Sequence, residues 1–347
     1  MTRFAPLDIP SSMDAFLKYW RPNAVLLMES ELWPNLIMGA SRNGVALALV
    51  NGRMSKKSFR NWSHPVVLPL ITLMLSKFSL ILPLSTIQGI QFQLLQAPPF
   101  SINYSGDLKY GIANFDVSER DSKSLKEIKA QLSHRKVWMA SSIHKGEEEV
   151  FIGAHNMLKQ KHADIVTIIV PRQPQHGKDI AQPIFVLFNE QKLREEGICV
   201  ALRSRGDNPT PETSIYVVDS LGELRIFYTL TPIAVIGGSF LPGLAGHNIS
   251  EAAAAGCALL TGHHVGHFSH MVAEMQRVNP LSVLQVTNEK LIGAVNELFD
   301  NVEILEARRA AAKQAFDALS NGIVESIWEI LHFHVFMKSD GCNGTRS

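Results

Sequence analysis

The stretch AVIGGSFLPGLAGHNISE, residues 234–251, decides the fold. It begins as the apolar run of a buried strand, continues directly into Gly237 and Gly238, and ends where Ser250 and Glu251 open a helix-like segment. Glycines after a strand let a ligand approach backbone N–H groups, and the following helix N-terminus offers free donors and a partial positive charge. The pattern predicts a strand–loop–helix unit of an α/β protein that suits a phosphate.

The same rhythm of short apolar runs and longer amphipathic segments continues along the chain and predicts βαβ units with parallel sheets. This alternation argues against all-α and all-β folds. We predict strands at residues 24–28, 45–50, 78–84, 101–105, 137–140, 165–170, 198–201, 215–218, 233–236, 258–261 and 282–286, and helices at 13–19, 32–40, 125–132, 147–159, 221–228, 250–255, 268–276, 289–299 and 302–320.

Composition limits the classes of function. The 347 residues include 33 Lys and Arg against 32 Asp and Glu, so no basic excess predicts a nucleic-acid partner. Hydrophobic residues make up 46% and charged residues 19%, which excludes disorder over most of the chain. Cys199, Cys257 and Cys342 lie far apart, which excludes a disulfide scaffold and a cysteine-based zinc site.

The length predicts two domains. The apolar rhythm lapses at residues 109–121, and we expect an N-terminal domain over residues 1–112, a C-terminal domain over 113–336 and a disordered tail over 337–347. Only four strands are predicted before the boundary, about half of a doubly wound sheet. We therefore expect the N-terminal domain to be incomplete.

Residues 65–87 form the most apolar segment and are long enough to span a bilayer. Lys77 lies near the middle, and a central lysine is costly in a membrane. We favour a buried helix that leads into a buried strand at residues 78–84.

Further loops follow strands of the C-terminal domain, at the edge of the sheet where open α/β folds bind ligands. Arg172, next to Pro171, has a guanidinium that suits a phosphate or carboxylate, although a solvated surface arginine is the commoner case. The segment DSLGEL, residues 219–224, also follows a predicted strand, but Asp219 and Ser220 are ordinary N-cap residues, so the segment alone is a weak indication of a binding site. Glu251 either favours the helix dipole or accepts hydrogen bonds from ribose hydroxyls.

In the N-terminal domain, Glu29 and Glu31 directly follow a predicted strand. In an extended stretch the two carboxylates face the same way and suit acid/base or cation-stabilising work, whereas an acidic helix N-terminus explains them nearly as well. Lys109 follows another predicted strand and suits an anionic substrate, but a solvated lysine is the default interpretation.

Residues 141–149, with Ser142, also join a strand to a helix and predict a second anion-binding nest. The histidines of this loop and of the later loops lack the spacing of a metal site, so no metal is expected. No GxSxG elbow and no GxxxxGK[ST] loop occurs, which excludes the common serine hydrolases and P-loop nucleotidases.

Together these segments resemble the 3-deoxy-D-manno-octulosonic acid (Kdo) transferase family. Eight blocks occur in the family's order and cover the chain from about residue 8 to residue 320: ESELWPNLI (29–37), NGRMSKKS (51–58), SGDLKY (105–110), WMASSIHKGEEE (138–149), IIVPRQP (168–174), DSLGEL (219–224), IGGSFLPGLAGHNISEAAAAG (236–256) and TGHHVGHF (261–268).

The resemblance implies an α/β, GT-B-type glycosyltransferase with two Rossmann-like doubly wound domains. Glu29 and Lys109 fall where the family has residues that support the transition state: a carboxylate favours oxocarbenium character at the anomeric carbon, and a cation favours the departing phosphate. Glu31, Ser142, Gly237 and Gly238 are additional candidates. The contacts to cytidine monophosphate (CMP) carried over by position are Pro171, Arg172, Leu221, Gly222, Glu223, Asn248, Ile249, Ser250 and Glu251.

The chain also departs from the family pattern. Family members begin with a membrane-proximal helix and a Gly-Glu motif that supplies the general base, and neither occurs here, so we expect an N-terminally truncated member whose turnover is reduced. Gln173 stands where the family usually has His, and His267 where it often has Asn.

The main prediction is transfer of Kdo from CMP-Kdo to a lipid A-type acceptor in lipopolysaccharide-like biosynthesis, with inversion, no metal and no cofactor. The alternatives are a truncated non-catalytic relative that binds a nucleotide or a partner, and a nucleotide-sugar epimerase of the same fold. The expected partners are CMP-Kdo, a lipid A precursor and a peripheral membrane surface. A plant-type member is expected in mitochondria, and a bacterial one at the cytoplasmic face of the inner membrane.

Overall fold

A computed structural model of the chain describes residues 5–111, 119–172 and 197–337, and over residues 119–125 it describes the backbone alone. The chain divides into two compact units. Met1–Gly111 and Asn321–Ser347 form the first unit, and Ile112–Ser320 forms the second.

The first unit contains a three-stranded parallel sheet in the order β1-β2-β3. Its core gathers buried side chains of the strands and of the helices beside them. In chain order the elements are α1 (Pro10–Trp20), β1 (Ala24–Met28), α2 (Pro34–Arg42), β2 (Ala46–Gly52), α3 (Lys56–Trp62), α4 (Leu68–Leu75), β3 (Leu80–Pro83) and α5 (Thr86–Leu94).

Three of these helices begin at side-chain caps. The carboxylate of Asp8 accepts the backbone N–H groups of Asn35 at 3.1 Å and Leu36 at 2.9 Å at the start of α2. Ser55 and Ser85 cap α3 and α5 in the same way, each accepting the N–H of the third residue onward. A side-chain oxygen in this position satisfies an N–H that has no partner within the helix.

The second unit contains a seven-stranded parallel sheet in the order β10-β9-β8-β4-β5-β7-β6. Its elements are α6 (Glu119–Leu132), β4 (Val137–Ile143), α7 (Glu148–Lys161), β5 (Val166–Pro171), β6 (Val200–Leu202), β7 (Ile215–Val217), α8 (Leu224–Thr229), β8 (Ile233–Ile236), α9 (Ser250–Ala254), β9 (Ala258–Thr261), α10 (Ser269–Val278), β10 (Val283–Gln285), α11 (Asn288–Asp300) and α12 (Val302–Ser320).

The strand order reverses between β4 and β8. Outward from β4 the strands lie in the order β5-β7-β6, and outward from β8 they lie in the order β9-β10. Open α/β sheets bind ligands outside the carboxyl ends of the strands at such a switch point. The loops that follow β4 and β8 meet there.

The secondary structure largely confirms the sequence predictions. Ten of the eleven predicted strands are present, as are all nine predicted helices, most of them with shifted ends. The predicted strand at residues 101–105 is wrong, because this segment contributes a single bridge between Ile102 and Ile81 and begins in a 3₁₀ turn. Residues 65–87 form α4 and β3, as expected. Within the described residues, no helix combines the length and the apolar character of a membrane span.

The C-terminal boundary differs from the predicted one. Helix α13 (Ile323–Leu331) and the π-helical turn after it belong to the first unit rather than to the domain predicted over residues 113–336. Ile323 packs over Gly106, and Val324 packs against Gly111. Of the predicted tail, residues 338–347 lie outside the described part.

Candidate functional site

In the first unit, one carboxylate gathers two cations at the carboxyl end of β1. Glu29 Oε1 lies 2.5 Å from Lys109 Nζ, and Glu29 Oε2 lies 2.7 Å from Arg53 Nη2 and 2.8 Å from Arg53 Nε. The side chains remain 28%, 26% and 23% exposed, respectively. The cluster is therefore ionic and open to solvent.

The local backbone turns the Glu29 side chain toward these cations. Glu29 has a φ of 57°, in the left-handed region that L-residues other than Asn and Asp rarely adopt. Its N–H donates to the carbonyl of Val50 at 2.9 Å, and its carbonyl accepts the N–H of Arg53 at 3.2 Å. Strained backbone of this kind concentrates at functional sites.

Burial raises the pKa of Glu29, but the hydrogen bonds from Lys109 and then Arg53 outweigh it, and the pKa lies below the ordinary value of 4.5. Glu29 is therefore a carboxylate at neutral pH. It can stabilise a positive charge that develops nearby, but it is a poor proton donor.

Lys109 is fixed by a buried network. Asn51 at the end of β2 donates to Asp107 Oδ1 at 2.7 Å and accepts the N–H of Leu108 at 3.0 Å. Asp107 in turn accepts the N–H of Lys109 at 2.9 Å. Because Asn51 and Asp107 are both buried, this network sets the 3₁₀ turn that carries the lysine.

The predicted pairing of Glu31 with Glu29 is not observed. Glu29 and Ser30 form a turn instead of extended chain, so the alternation expected for a strand does not apply. Glu31 is exposed and accepts the indole N–H of Trp33 at 2.6 Å.

In the second unit, the predicted donor-binding residues follow β5, β7 and β8. Because all seven strands are parallel, their carboxyl ends lie at one edge of the sheet. Pro171 ends β5 and Arg172 follows it, exposed. Leu221 is 81% exposed, and Gly222 has a φ of 86°, where an added Cβ would meet nothing within 4 Å. Gln173 lies outside the described residues.

The loops after β4 and β8 are held together by Glu147, which is fully buried. Its carboxylate accepts four backbone N–H groups, from His144 at 2.9 Å, Gly238 at 2.7 Å, and Ser239 and Phe240 at 3.0 Å each. Four amide donors compensate a buried carboxylate without a counter-ion. Glu147 thus occupies the anion nest that the glycine-rich sequence predicts.

The sequence suggests that Gly237 and Gly238 offer backbone N–H groups to a phosphate, but in the structure both N–H groups donate to acceptors within the protein. The N–H of Gly237 donates to the carbonyl of Ser141 at 2.7 Å, and that of Gly238 donates to Glu147. Their lack of a side chain serves close packing: a Cβ on Gly237 would lie 2.9 Å from the Cα of Ile143. Ser142, buried at the end of β4, has a φ of 55°.

Two histidines meet beside this nest. His144 Nε2 lies 2.7 Å from His247 Nε2, and the rings stack at a 15° angle. Burial, and then the nearby charges of His144 and Arg172, lower the pKa of His247 to about 4. A hydrogen bond between the two Nε2 atoms requires the proton on one of them and a lone pair on the other.

The segment 219–223 is bound to the turn before it. Both carboxylate oxygens of Glu223 accept hydrogen bonds from Arg203, the shortest at 2.7 Å, and Oε2 also accepts one from the hydroxyl of Ser220. The hydrogen bond from Glu223 raises the pKa of Arg203. Asp219 accepts the N–H of Ser204 at 2.8 Å and its hydroxyl at 2.6 Å.

The start of α9 brings the last group of candidates together. Asn248 Oδ1 accepts the N–H of Ser250 at 2.9 Å and its hydroxyl at 2.8 Å, and Ile249 is buried. Glu251 is partly exposed and accepts Arg225 Nε at 2.9 Å. The structure thus links α8 to α9 through an ion pair, which sequence reasoning did not predict.

A cavity of about 230 Å³ lies at the same edge, beyond β8. None of the predicted donor contacts lines it. Its walls are Ser239, Phe240, Gly262, His263, His264, Val286, Thr287, Asn288 and Glu289. Among the residues described by the structure, no group of three or more His, Cys, Asp or Glu side chains is placed to hold a metal ion.

Comparisons with known proteins identify the family. A family model described as 3-deoxy-D-manno-octulosonic-acid transferase matches residues 1–112. A protein of Arabidopsis thaliana named a probable mitochondrial 3-deoxy-D-manno-octulosonic acid transferase is 58% identical over 336 residues, which cover 96% of this chain and 73% of that protein. The chain belongs to the Kdo transferase family.

A bacterial Kdo transferase, that of Haemophilus influenzae, is 29% identical over 87% of this chain and 68% of its own length. A crystal structure of a glycosyltransferase from Rickettsia africae has a TM-score of 0.60 at 11% identity, covering 96% of this chain and 84% of that one. At that identity the likeness concerns the fold alone. The Kdo transferase chain is thus an α/β protein of the GT-B type, and its relatives support a glycosyltransferase.

Three charged side chains central to this Kdo transferase were missed by sequence reasoning. Arg53 lies within the NGRMSKKS block, but nothing in the block links it to Glu29. The position of Glu147 in the sequence is typical of an ordinary acidic residue near the start of a helix. Arg203 lies in a polar loop. In each case the partner is distant in sequence, between 20 and 93 residues away.

Proposed function

We propose that the protein transfers Kdo from CMP-Kdo to a hydroxyl of a lipid A-type acceptor. The acceptor oxygen bonds to the anomeric carbon with inversion, the bond from that carbon to the phosphate oxygen breaks, and CMP departs while the acceptor hydroxyl loses its proton. No metal is required in this scheme.

The observation that carries the proposal is the ionised cluster around Glu29. As the bond to phosphate breaks, positive charge develops at the anomeric carbon and negative charge on the phosphate. Glu29 is a carboxylate at neutral pH, which suits the first charge, while Lys109 suits the second. Charges already fixed in position need little reorganisation during the reaction.

For the nucleotide we propose the carboxyl edge of the second unit. Arg172 would bind the phosphate, and Glu251 would accept hydrogen bonds from ribose hydroxyls in exchange for its ion pair with Arg225. The remaining proposed donor contacts are Pro171, Leu221, Gly222, Glu223, Asn248, Ile249 and Ser250.

We further propose that the protein is a plant-type, mitochondrial member. The support is the 58% identity to the Arabidopsis relative, which is named mitochondrial. Imaging a fluorescent fusion of the full precursor in plant cells checks the compartment, and a purely cytosolic signal contradicts it.

The direct test combines binding and transfer. Calorimetry with CMP and with UMP measures nucleotide preference, and radiolabelled Kdo follows transfer from CMP-Kdo to a detergent-dispersed lipid A precursor. We expect CMP to bind more tightly than UMP and the label to reach the lipid. NMR of the product should show the inverted anomer.

Two results would favour the alternatives. CMP binding with no transfer at any enzyme concentration supports a non-catalytic nucleotide-binding relative. A preference for UMP together with conversion of a UDP-sugar supports an epimerase.

A further inference from the structure

The proposed reaction does not use the His144–His247 pair, although each histidine adjoins a proposed donor contact. His144 follows Ile143, whose carbonyl accepts the N–H of Arg172 at 3.0 Å. His247 directly precedes Asn248, the first of the proposed contacts at the start of α9. The pair therefore lies at the switch point of the sheet, beside the proposed phosphate site.

The two imidazole rings are held in one orientation. Their planes lie at 15° to each other, and their Nε2 atoms meet at 2.7 Å. A Cβ placed on Gly238 would lie 2.6 Å from Cδ2 of His247 and 3.3 Å from Cδ2 of His144, so both rings turn the same edge toward this buried glycine. The opposite edge of each ring, which carries Nδ1, faces away from Gly238.

Neither Nδ1 atom of the pair is used within the described part of the protein. Neither makes a hydrogen bond to a described residue, and neither is sealed from solvent. The buried His155 differs, because its Nδ1 pairs with Thr167 Oγ1 at 2.7 Å. The His144–His247 pair thus presents two polar atoms on one side, and both are available to a ligand.

The bridge between the Nε2 atoms decides what each Nδ1 offers. A neutral imidazole carries one proton, so the ring that donates at Nε2 has a lone pair at Nδ1, whereas the ring that accepts at Nε2 has its proton at Nδ1. Two neutral rings therefore present one donor and one acceptor.

The ring of His247 is the better candidate for the donor. Burial lowers its pKa to about 4, so it is neutral at pH 7, and the charge of Arg172 contributes to this shift. A phosphate bound by Arg172 would therefore lie close to this ring. A neutral imidazole there adds a hydrogen-bond donor without bringing a second positive charge next to the guanidinium.

We propose that His247 Nδ1–H donates a hydrogen bond to the phosphate of the nucleotide sugar, and that His144 positions this donor by giving its own Nε2–H to His247 Nε2. The inference rests on the proposed function and adds two residues to it. No proton is transferred in this step. The hydrogen bond strengthens as the phosphate gains negative charge during departure, so it favours the transition state over the bound donor.

NMR titration of the full chain with CMP and with cytidine, which lacks the phosphate, tests the contact of His247. His247→Gln keeps an amide at the bridge but removes the donor at Nδ1, and we expect about tenfold weaker binding of CMP with unchanged binding of cytidine. His247→Asn places an amide N–H near the Nδ1 position and should stay within about threefold of wild type. The exposed His263 at the same edge provides the control His263→Gln, which should bind both ligands as wild type does.

Two variants of similar size test the positioning role of His144. His144→Gln still offers an N–H to His247 Nε2 and should retain transfer of Kdo within about threefold. His144→Glu accepts a hydrogen bond there instead, which places the His247 proton on Nε2 and leaves Nδ1 without one. We expect its kcat to fall on the order of 100-fold. A role limited to holding the two loops together would not separate these variants.

Nitrogen NMR of histidine-labelled protein reads the proton positions directly. In wild type, His247 should carry its proton on Nδ1, and the resonance of this nitrogen should shift when CMP binds but not when cytidine binds. In His144→Glu the proton should move to Nε2. The wild-type measurement needs no substitution, so it decides the proposal even if a variant fails to fold, which circular dichroism and melting temperature detect.

The proposal is overturned if the His247 Nδ1 resonance does not respond to CMP, or if folded His247→Gln binds CMP as tightly as wild type. It is also overturned if His247→Gln weakens CMP and cytidine by the same factor, because the contact then does not involve the phosphate. A wild-type protein that binds no CMP overturns the proposed function as well, whereas CMP binding and transfer that survive in His247→Gln overturn this inference alone.

Discussion

Glu29 in the first unit and Glu147 in the second are both carboxylates at the carboxyl end of a parallel sheet, and they are held in opposite ways. Glu147 is fully buried and is bound by four backbone amides. Glu29 is 28% exposed and is bound by two side-chain cations. Amides cannot move away without breaking two loops, whereas lysine and arginine side chains can exchange partners. The comparison distinguishes a structural anion from one that can meet a ligand.

The largest expected effect is on stability and comes from Glu147. Glu147→Ala leaves four N–H groups without an acceptor, three of them buried, and we expect a loss of about 4 kcal/mol in the free energy of local opening. Hydrogen exchange at residues 238–240 measures it. Glu149→Ala, an exposed glutamate two residues away, should change the same amides little. Equal protection in wild type and Glu147→Ala would contradict the structural role.

The second prediction concerns catalysis and the other glutamate. Glu29→Gln keeps the shape but removes the charge, and we expect kcat to fall by about 10²–10³-fold while the protein stays folded. Radiolabelled transfer measures the rate. Glu31→Gln is the matched control in the same loop and should stay within about twofold of wild type, because its carboxylate bonds only to an exposed indole in the described structure. Equal losses in both variants would remove the special role of Glu29.

The α/β architecture was predictable because parallel strands, buried on both faces, read as short apolar runs. Helix α3 was not predictable, since it has only seven residues and none of its side chains is fully buried. Helix α13 does show a periodic apolar pattern, because Ile323, Ile327 and Leu331 are buried at four-residue spacing. The sequence shows such a stripe but not which unit covers it.

The candidate site was predictable in its residues more than in its contacts. Glu29 and Lys109 were chosen at separate strand ends, and the structure joins them at 2.5 Å. The glycines after β8 correctly indicated an anion nest, but the anion is the chain's own Glu147. Local sequence cannot reveal this, because the carboxylate comes from a helix start about 90 residues earlier.

A smaller effect compares two glycines of the second unit, both with positive φ. Gly238→Ala brings a methyl group to 2.6 Å from the ring of His247, whereas Gly222→Ala meets nothing within 4 Å. We expect Gly222→Ala to cost about 1 kcal/mol from backbone strain alone, and Gly238→Ala about 1–2 kcal/mol more. Thermal unfolding of both variants provides the comparison. If Gly238→Ala lost less stability than Gly222→Ala, the loop after β8 would have to adapt freely to the added methyl group.

The smallest effect is the pH dependence contributed by Glu29. Its folded pKa lies below 4.5, so the unfolded state binds the proton more readily. The stabilisation is fully present above about pH 5 and is lost as pH falls through the folded pKa. Urea unfolding should therefore show a stability difference between wild type and Glu29→Gln at pH 7 that narrows at pH 3.5. A difference that is the same at both values would argue that the cations do not lower this pKa.

The return of the chain to the first unit at α13 has a practical consequence for shortened versions of the protein. The side chains of Ile323 and Val324 cover Gly106 and Gly111, the two glycines that bracket the turn bearing Lys109. A chain cut after Ser320 would keep every strand of both sheets and every proposed nucleotide contact. It would nevertheless uncover that turn from behind, so CMP affinity would survive while the lysine lost its fixed distance from Glu29.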